Sequence, residues 1–418
     1  MRLAGAVVFR SLRNANYRLW AAGALVSNIG TWMQRTAQDW LVLTQLTHRS
    51  ASAVGVVMAL QFAPQLLLLP WTGSAADHFN QRRLLMATQA TMGVLGLGLG
   101  TLTVSGAVAL WHVYVFSFLS GCAAAFDAPV RQTFVAELVG DEDLPNAVAL
   151  NATLINAAQI FGPAVAGLTI AAIGTGWAFV IDGVSFGAVL VSLCRLRVGA
   201  LGHNARARRA KGGFVEGLRY VWGRPDLKTI LLMLFLIGTF GMNFPIFTST
   251  MAVKVFHADA RGFGLLSSIM AAGALSGSLA AAARRRIGFG TLLSGAGVFG
   301  LGCALAALAP GYWLFAAALA LIGAAVLTFA TATNGLMQLT TEPSMRGRVM
   351  ALRIAIALGC TPIGAPIVGW VADACGPRWA LGVGAGSGFA AAAAAAVFLI
   401  RSYRLKAARD VAESSGSV

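Results

Sequence analysis

The chain has 418 residues, of which 57% are hydrophobic and 11% charged, against roughly 25% charged in soluble domains. No soluble core absorbs that much apolar sequence, so a water-soluble globular domain is excluded and an all-α integral membrane protein is expected. The net charge of +16 implies no nucleic-acid partner here, because the bases fall in segments between apolar runs.

Residues 1–16 carry Arg2, Arg10 and Arg13 without a cleavage-type ending, and the next apolar run is too long for a signal segment, so no removable leader is expected. Apolar runs long enough to span a bilayer, about 20 residues each, then follow at 19–46, 52–72, 84–104, 111–126, 146–173 and 177–194. A second set lies at 229–253, 264–283, 291–308, 313–338, 349–372 and 379–400. The fourth is short and is expected to extend past Pro129. The pattern predicts a six-helix bundle over 1–194, a basic linker over 195–228, a second six-helix bundle over 229–400 and a tail over 401–418.

Base placement orients this arrangement. With the N-terminus inside, nearly all of the 31 Lys and Arg residues fall on the cytoplasmic side; Arg49, Lys254, Arg261 and Arg378 fall outside. Both termini are then cytoplasmic. Glu137, Asp141, Glu142 and Asp143 also fall inside, but the rule counts bases rather than net charge. In the linker, Arg206, Arg208, Arg209 and Lys211 read as a solvated charge run. Phe214, Leu218 and Val221 share one face at helical spacing, which fits an amphipathic helix on the inner leaflet. The five cysteines are scattered without a C-x-x-C or His/Cys cluster, so neither a metal nor a disulfide framework is expected.

The two sets of runs read as copies. Arg82 and Arg285 follow the second run of each set, and Pro163 and Pro366 lie at the same offset in the fifth and eleventh runs. Such a constant offset is what parallel transporter repeats produce.

Within the runs, charge is scarce. Arg35 and Asp39 are four residues apart and share a helix face, which Gln34 and Gln38 extend. Counting at ~1.5 Å per residue places Asp39 about 12 Å and Arg35 about 18 Å inside the outer end. Two readings stand for them: an ion pair closing the outer side, or groups tied to substrate or proton. Asp182, in the sixth run, is another candidate proton carrier, although its place near the outer end also lets it reach the interface. Asn28, Asn156, Gln159, Asn243, Asn334 and Gln338 are polar residues that suit interhelical hydrogen bonds or a cavity lining.

Between the second and third runs stands Gly73-Ser-Ala-Ala-Asp77-His-Phe-Asn-Gln-Arg82-Arg83. It resembles the helix 2–3 loop of major facilitator superfamily transporters, G-x-x-x-D-R-x-G-R-[RK], with Gly73, Asp77 and Arg82 on pattern positions. His78, Asn80 and Gln81 depart from it. Gly162-Pro163-Ala-Val-Ala-Gly167 resembles the superfamily's antiporter motif, G-P-x-x-G-G, with Ala166 in place of one glycine. A packing kink is the other reading of that segment. The stretches at 31–40, 126–132, 216–220 and 346–351 resemble the exporter branch that includes the enterobactin exporter and macrolide and multidrug efflux proteins.

The resemblance implies twelve helices in two bundles, alternating access, and export of small amphipathic molecules such as drugs or siderophores. It implies the proton gradient as energy source with no cofactor, a bacterial inner-membrane location, and a working monomer. It also implies that Asp77 meets the start of the eleventh helix near residues 344–347. Asp127, near Arg131, would then hold Arg82 or Arg83 in one cluster at the inner mouth. A lysophospholipid or other lipid carrier of the same superfamily is the alternative, and a non-transporting receptor or scaffold a weaker one. No Walker-type phosphate loop and no catalytic constellation is present, so an enzyme is not expected.

Overall fold

A computed structural model describes residues 10–72, 79–140, 142–196, 214–282 and 288–415. After a 3-10 turn (Arg10–Arg13), the Asn14 side chain accepts from the backbone N–H groups of Asn16 and Tyr17 and starts α1 (Ala15–Leu41), which widens into a π turn at Val42–Leu46. Ser50 caps α2 (Ala51–Leu67) through Ala53 N, and Asn80 caps α3 (Gln81–Val104) through Arg83 N. Such side chains satisfy N–H groups that a helix start leaves unpaired. Helices α4 (Leu110–Leu138), α5 (Leu144–Ile173) and α6 (Thr175–Arg195) follow. Gly174 alone separates α5 from α6, at φ 95°, a backbone conformation that favours glycine.

The short α7 (Phe214–Trp222) precedes a broken helix. α8 (Pro225–Leu236) passes through a π turn at Ile237–Gly241, leaves helical geometry at Met242 and Asn243, and resumes as α9 (Phe244–Thr250) and a second π turn, Met251–Val255. Then come α10 (Ala260–Ala282), α11 (Phe289–Leu308), α12 (Tyr312–Thr340), α13 (Arg346–Ala374) and α14 (Pro377–Ser415).

Ten of these helical segments are long and apolar enough to cross a membrane, with Pro225–Val255 counted as one. α4 runs past Pro129 as expected. α14 continues to Ser415, where a tail was expected from residue 401. In α7, Val221 is buried while Leu218 and Trp222 are exposed. Glu216 pairs with Arg348 (3.0 Å), so α7 is docked on the first turn of α13.

Side-chain contacts gather at two opposite ends of the helices. At one end, Gln45 reaches Thr175, Ser50 reaches Asp373, and Arg378 reaches the Ala307 and Ala309 carbonyls. At the other, Arg10 pairs with Glu142 and Asp143, Arg82 reaches the end of α6, and Arg224 reaches Thr340 O. These are called the Ser50 end and the Arg82 end below.

The first six helices meet the later ones through two crossed contacts of the same kind. Gly55 of α2 lies against the Ala365 carbonyl and Pro366 of α13, and Gly264 of α10 against the Pro163 carbonyl of α5. A side chain at either glycine would strike backbone. Small residues let membrane helices approach this closely, where no hydrophobic force drives them together. Pro163 and Pro366, the pair that shared an offset in the sequence, thus occupy matching places.

Candidate functional site

The polar face of α1 is built as the four-residue spacing predicts. Gln34 Nε2 donates to Gln38 Oε1 (3.1 Å), and Gln38 Nε2 donates to Ser117 Oγ of α4 (2.8 Å). Ser117 in turn donates to Val113 O (2.6 Å). This chain pins α1 to α4 and leaves Arg35 and Asp39 beside it.

Arg35 and Asp39 do not form the ion pair that was one reading of them; none joins Arg35 to Asp39 or Asp182 among the described residues. The Arg35 guanidinium lies instead 5.0 Å from the Trp32 ring centroid and 5.9 Å from that of Phe62. A ring face attracts a cation but does not replace a carboxylate. Arg35 Nε is buried without a hydrogen-bond partner among the described residues.

Asp182 of α6 is 2% exposed, so it does not reach the outer interface that its position in the run allowed. Counting along one helix misses what neighbouring helices cover. Gly30 of α1 and Gly96 of α3 make room for its carboxyl: a Cβ at Gly30 would stand 2.8 Å from Oδ1, and one at Gly96 3.4 Å from Oδ2. Oδ1 is buried without a hydrogen-bond partner among the described residues. Two buried carboxyl groups and one guanidinium without an ion pair among the described residues thus stand on α1 and α6.

Asp127 does not hold Arg82 or Arg83. It is bonded by Arg131 Nε (3.0 Å), Thr88 Oγ1 (2.9 Å) and Gln89 Nε2 (2.7 Å), and Arg131 Nη1 donates on to Asn28 Oδ1 (3.0 Å). Arg131 stands one turn along the same helix, closer than any base of the loop, so the local pair forms. The network ties α1, α3 and α4 together. Arg82 turns to α6, where Nε donates to Leu193 O (2.8 Å) and Nη2 to Cys194 O (3.1 Å). Helix ends leave such carbonyls unpaired and carry partial negative charge. Arg83 is exposed. Gly73 and Asp77 lie outside the described residues, as does Arg285.

Gly162 packs on Trp32 and Met33 of α1, while Pro163 and Gly167 meet α10 at Gly264 and Ala260. The antiporter-like segment is therefore a three-helix seam. A groove of about 420 Å³ between α3 and α4, lined by residues such as Leu95, Leu119 and Phe126, is apolar and lies apart from the charged set. Among the described residues, no group of three His, Cys, Asp or Glu is placed to hold a metal.

The sequence reading passed over Asp373, at the end of α13, and used Lys254 only to orient the chain. The structure joins them at 2.8 Å, and Asp373 also bonds the start of α2. A carboxylate at the outer end of a run, on a side with few charges, was the available signal.

The fold and its charged interior invite comparison with known proteins. The model of the transmembrane secretion effector family matches residues 6–415. The chain belongs to that family of major facilitator transporters. It is 28% identical to the multidrug efflux pump Tap of Mycolicibacterium fortuitum over 367 residues, covering 84% of this chain and 88% of that one. It is 24% identical to the enterobactin exporter EntS of Shigella boydii, covering 78% and 79%. Among solved structures, a bacterial homologue of the human lysosomal transporter Spinster, inward-facing and unoccupied, superposes with a TM-score of 0.68. The identity is 15%, over 92% of this chain and 95% of that one. The chain is thus a multi-pass transporter of the major facilitator type whose relatives export small molecules.

Proposed function

We propose that this transporter is a proton-coupled exporter of small amphipathic molecules, drugs or siderophores among them. It works by alternating access in the bacterial inner membrane. In this reading α1 and α2 join the ten long apolar segments to give twelve spans in two six-helix bundles, and the base-rich Arg82 end faces the cytoplasm.

The observation that carries the reading is the set Arg35, Asp39 and Asp182: both carboxylate residues and Arg35 Nε are buried, and none of the three makes an ion pair among the described residues. A charge held in a membrane interior without a partner costs several kcal/mol, and such residues mark proton relays and substrate paths. A structural clasp would have closed the pair. Here one guanidinium and two buried carboxyl groups stand on α1 and α6 without an ion pair among the described residues, so a proton or a cationic substrate group can neutralise either carboxyl in turn. Exchange of the two is antiport.

In everted vesicles, uptake of an ethidium-type dye is expected to follow an imposed pH gradient and to stop when a protonophore collapses it. Asp39→Asn and Asp182→Asn should each lower gradient-driven uptake at least about tenfold, which is about 1.4 kcal/mol, at unchanged protein level. Uptake indifferent to the gradient would remove the proton from the reading and leave a carrier driven otherwise.

A further inference from the structure

The Asp373 carboxyl, in the last turn of α13, makes four contacts. Oδ1 accepts from Ala51 N (2.8 Å) and Lys254 Nζ (2.8 Å); Oδ2 accepts from Ser52 N (2.8 Å) and Ser50 Oγ (3.0 Å). Ser50 itself accepts from Ala53 N (3.2 Å). The start of α2 is therefore capped twice, once by its own Ser50 and once by a residue more than 300 positions away. An ordinary cap is local, as where Asp259 Oδ1 accepts from Gly262 N at the start of α10. One turn before Asp373, Gly369 lets the chain seat against Ala51 and Ser52, where a Cβ would stand 2.6 Å from Ala51 O.

The position of this contact matters more than its strength. Among the described residues, the side-chain hydrogen bonds joining residues 10–196 to residues 214–415 are those from Ser50, Ala51 and Ser52 to Asp373. All lie at the Ser50 end. Among the described residues, the ion pairs at the Arg82 end stay within one half: Arg10 with Glu142 and Asp143, and Arg348 with Glu216.

We propose that Asp373, seated on the N–H groups of α2 and paired with Lys254, is the latch that shuts the Ser50 end of the transport path. Its release is the step that opens that end. The inference rests on the alternating-access reading above and adds the residues that gate one face. A carboxylate suits the task because the start of a helix favours an anion. Both partners regain water when the end opens, so the bond biases the equilibrium without locking it.

The test reads access directly and needs neither substrate nor proton gradient, so its failure leaves the export reading standing. In a background with the five cysteines replaced by Ala, Val54→Cys reports the Ser50 end and Leu66→Cys the other, and each is labelled with a maleimide in detergent. Asp373→Asn is expected to raise labelling at position 54 at least about fivefold and to lower it at position 66, within the usual range of coupling between two states. Lys254→Met should act in the same direction but less, because the N–H groups remain. Asp259→Asn, which loses only a local cap, should move neither site.

Unchanged labelling at both sites, or a rise at both together, overturns the latch. In a second arm, Ser50→Cys combined with Asp373→Cys should cross-link on oxidation, stop transport and recover on reduction. Failure to cross-link, or transport by the cross-linked protein, would likewise overturn it.

Discussion

α1 and the broken helix over Pro225–Val255 make the plainest contrast in the molecule. α1 is an unbroken helix of 27 residues that carries Arg35 and Asp39 on its buried face. Its counterpart, at the offset that relates Pro163 to Pro366, puts Gly238 and Met242 at those two places, inside the π turn and at the break before Asn243. The same offset takes Asp127 to Ala330 and Arg131 to Asn334. Where the first half has charges, the second has irregular backbone and small polar groups: Thr239, Asn243 and Ser249 each keep an oxygen without a hydrogen-bond partner among the described residues. Both are costly ways to bring polarity into a membrane. The contrast teaches that two helices at matching offsets need not carry polarity alike: α1 does so with charged side chains, the broken helix with irregular backbone.

Three substitutions test that division, in falling order of effect. Asp127→Ala leaves Arg131, Thr88 and Gln89 buried with a missing acceptor, and a broken buried pair costs about 3 kcal/mol or more. The melting temperature in detergent should fall clearly, whereas Ala330→Ser, at the matching place in the second half, should change it little. An unchanged melting temperature would mean the first half does not depend on its charges.

Gly364→Ala sharpens the other side. A Cβ there runs into the Thr239 carbonyl in the π turn of the broken helix. Overpacking against backbone should cost about 1–3 kcal/mol. Gly187→Ala, which meets open space in α6, should stay within about 0.5 kcal/mol. Equal melting of the two would show that the irregular helix is loosely held.

Arg82→Ala is the mildest. It uncovers the Leu193 and Cys194 carbonyls at an end where water can replace the guanidinium, for a loss of about 0.5–1 kcal/mol. A loss as large as that of Asp127→Ala would return Arg82 to the buried cluster expected from the sequence.

Much of this architecture was legible in advance. Runs of apolar residues sufficed for most of the long helices, because a lipid core imposes helix length and apolarity together. The four-residue step from Gln34 to Gln38, and the proline at each crossed contact, were also readable. Partners were harder. Arg82 was assigned to a carboxylate and found backbone carbonyls, which leave no mark in a sequence. Asp182 was placed by its distance from a helix end, but Gly30 and Gly96, on two other helices, decide its burial. The break at Asn243 did leave a signal, Gly238 and Gly241 followed by Pro245, but a continuous apolar run hid it. Asp373 is the clearest omission: its partners lie in α2 and in the broken helix, and no local spacing connects them.

The last helix has a consequence of a different kind. α14 has 39 residues, about 58 Å of helix against a hydrocarbon layer of about 30 Å. Its apolar stretch ends near Arg404, with Arg401, Tyr403 and Arg404 all exposed, the residue types that anchor at a lipid surface. The backbone of residues 405 to 415 continues as helix for about 16 Å beyond that point. The helix thus leads the backbone clear of the headgroups without a turn.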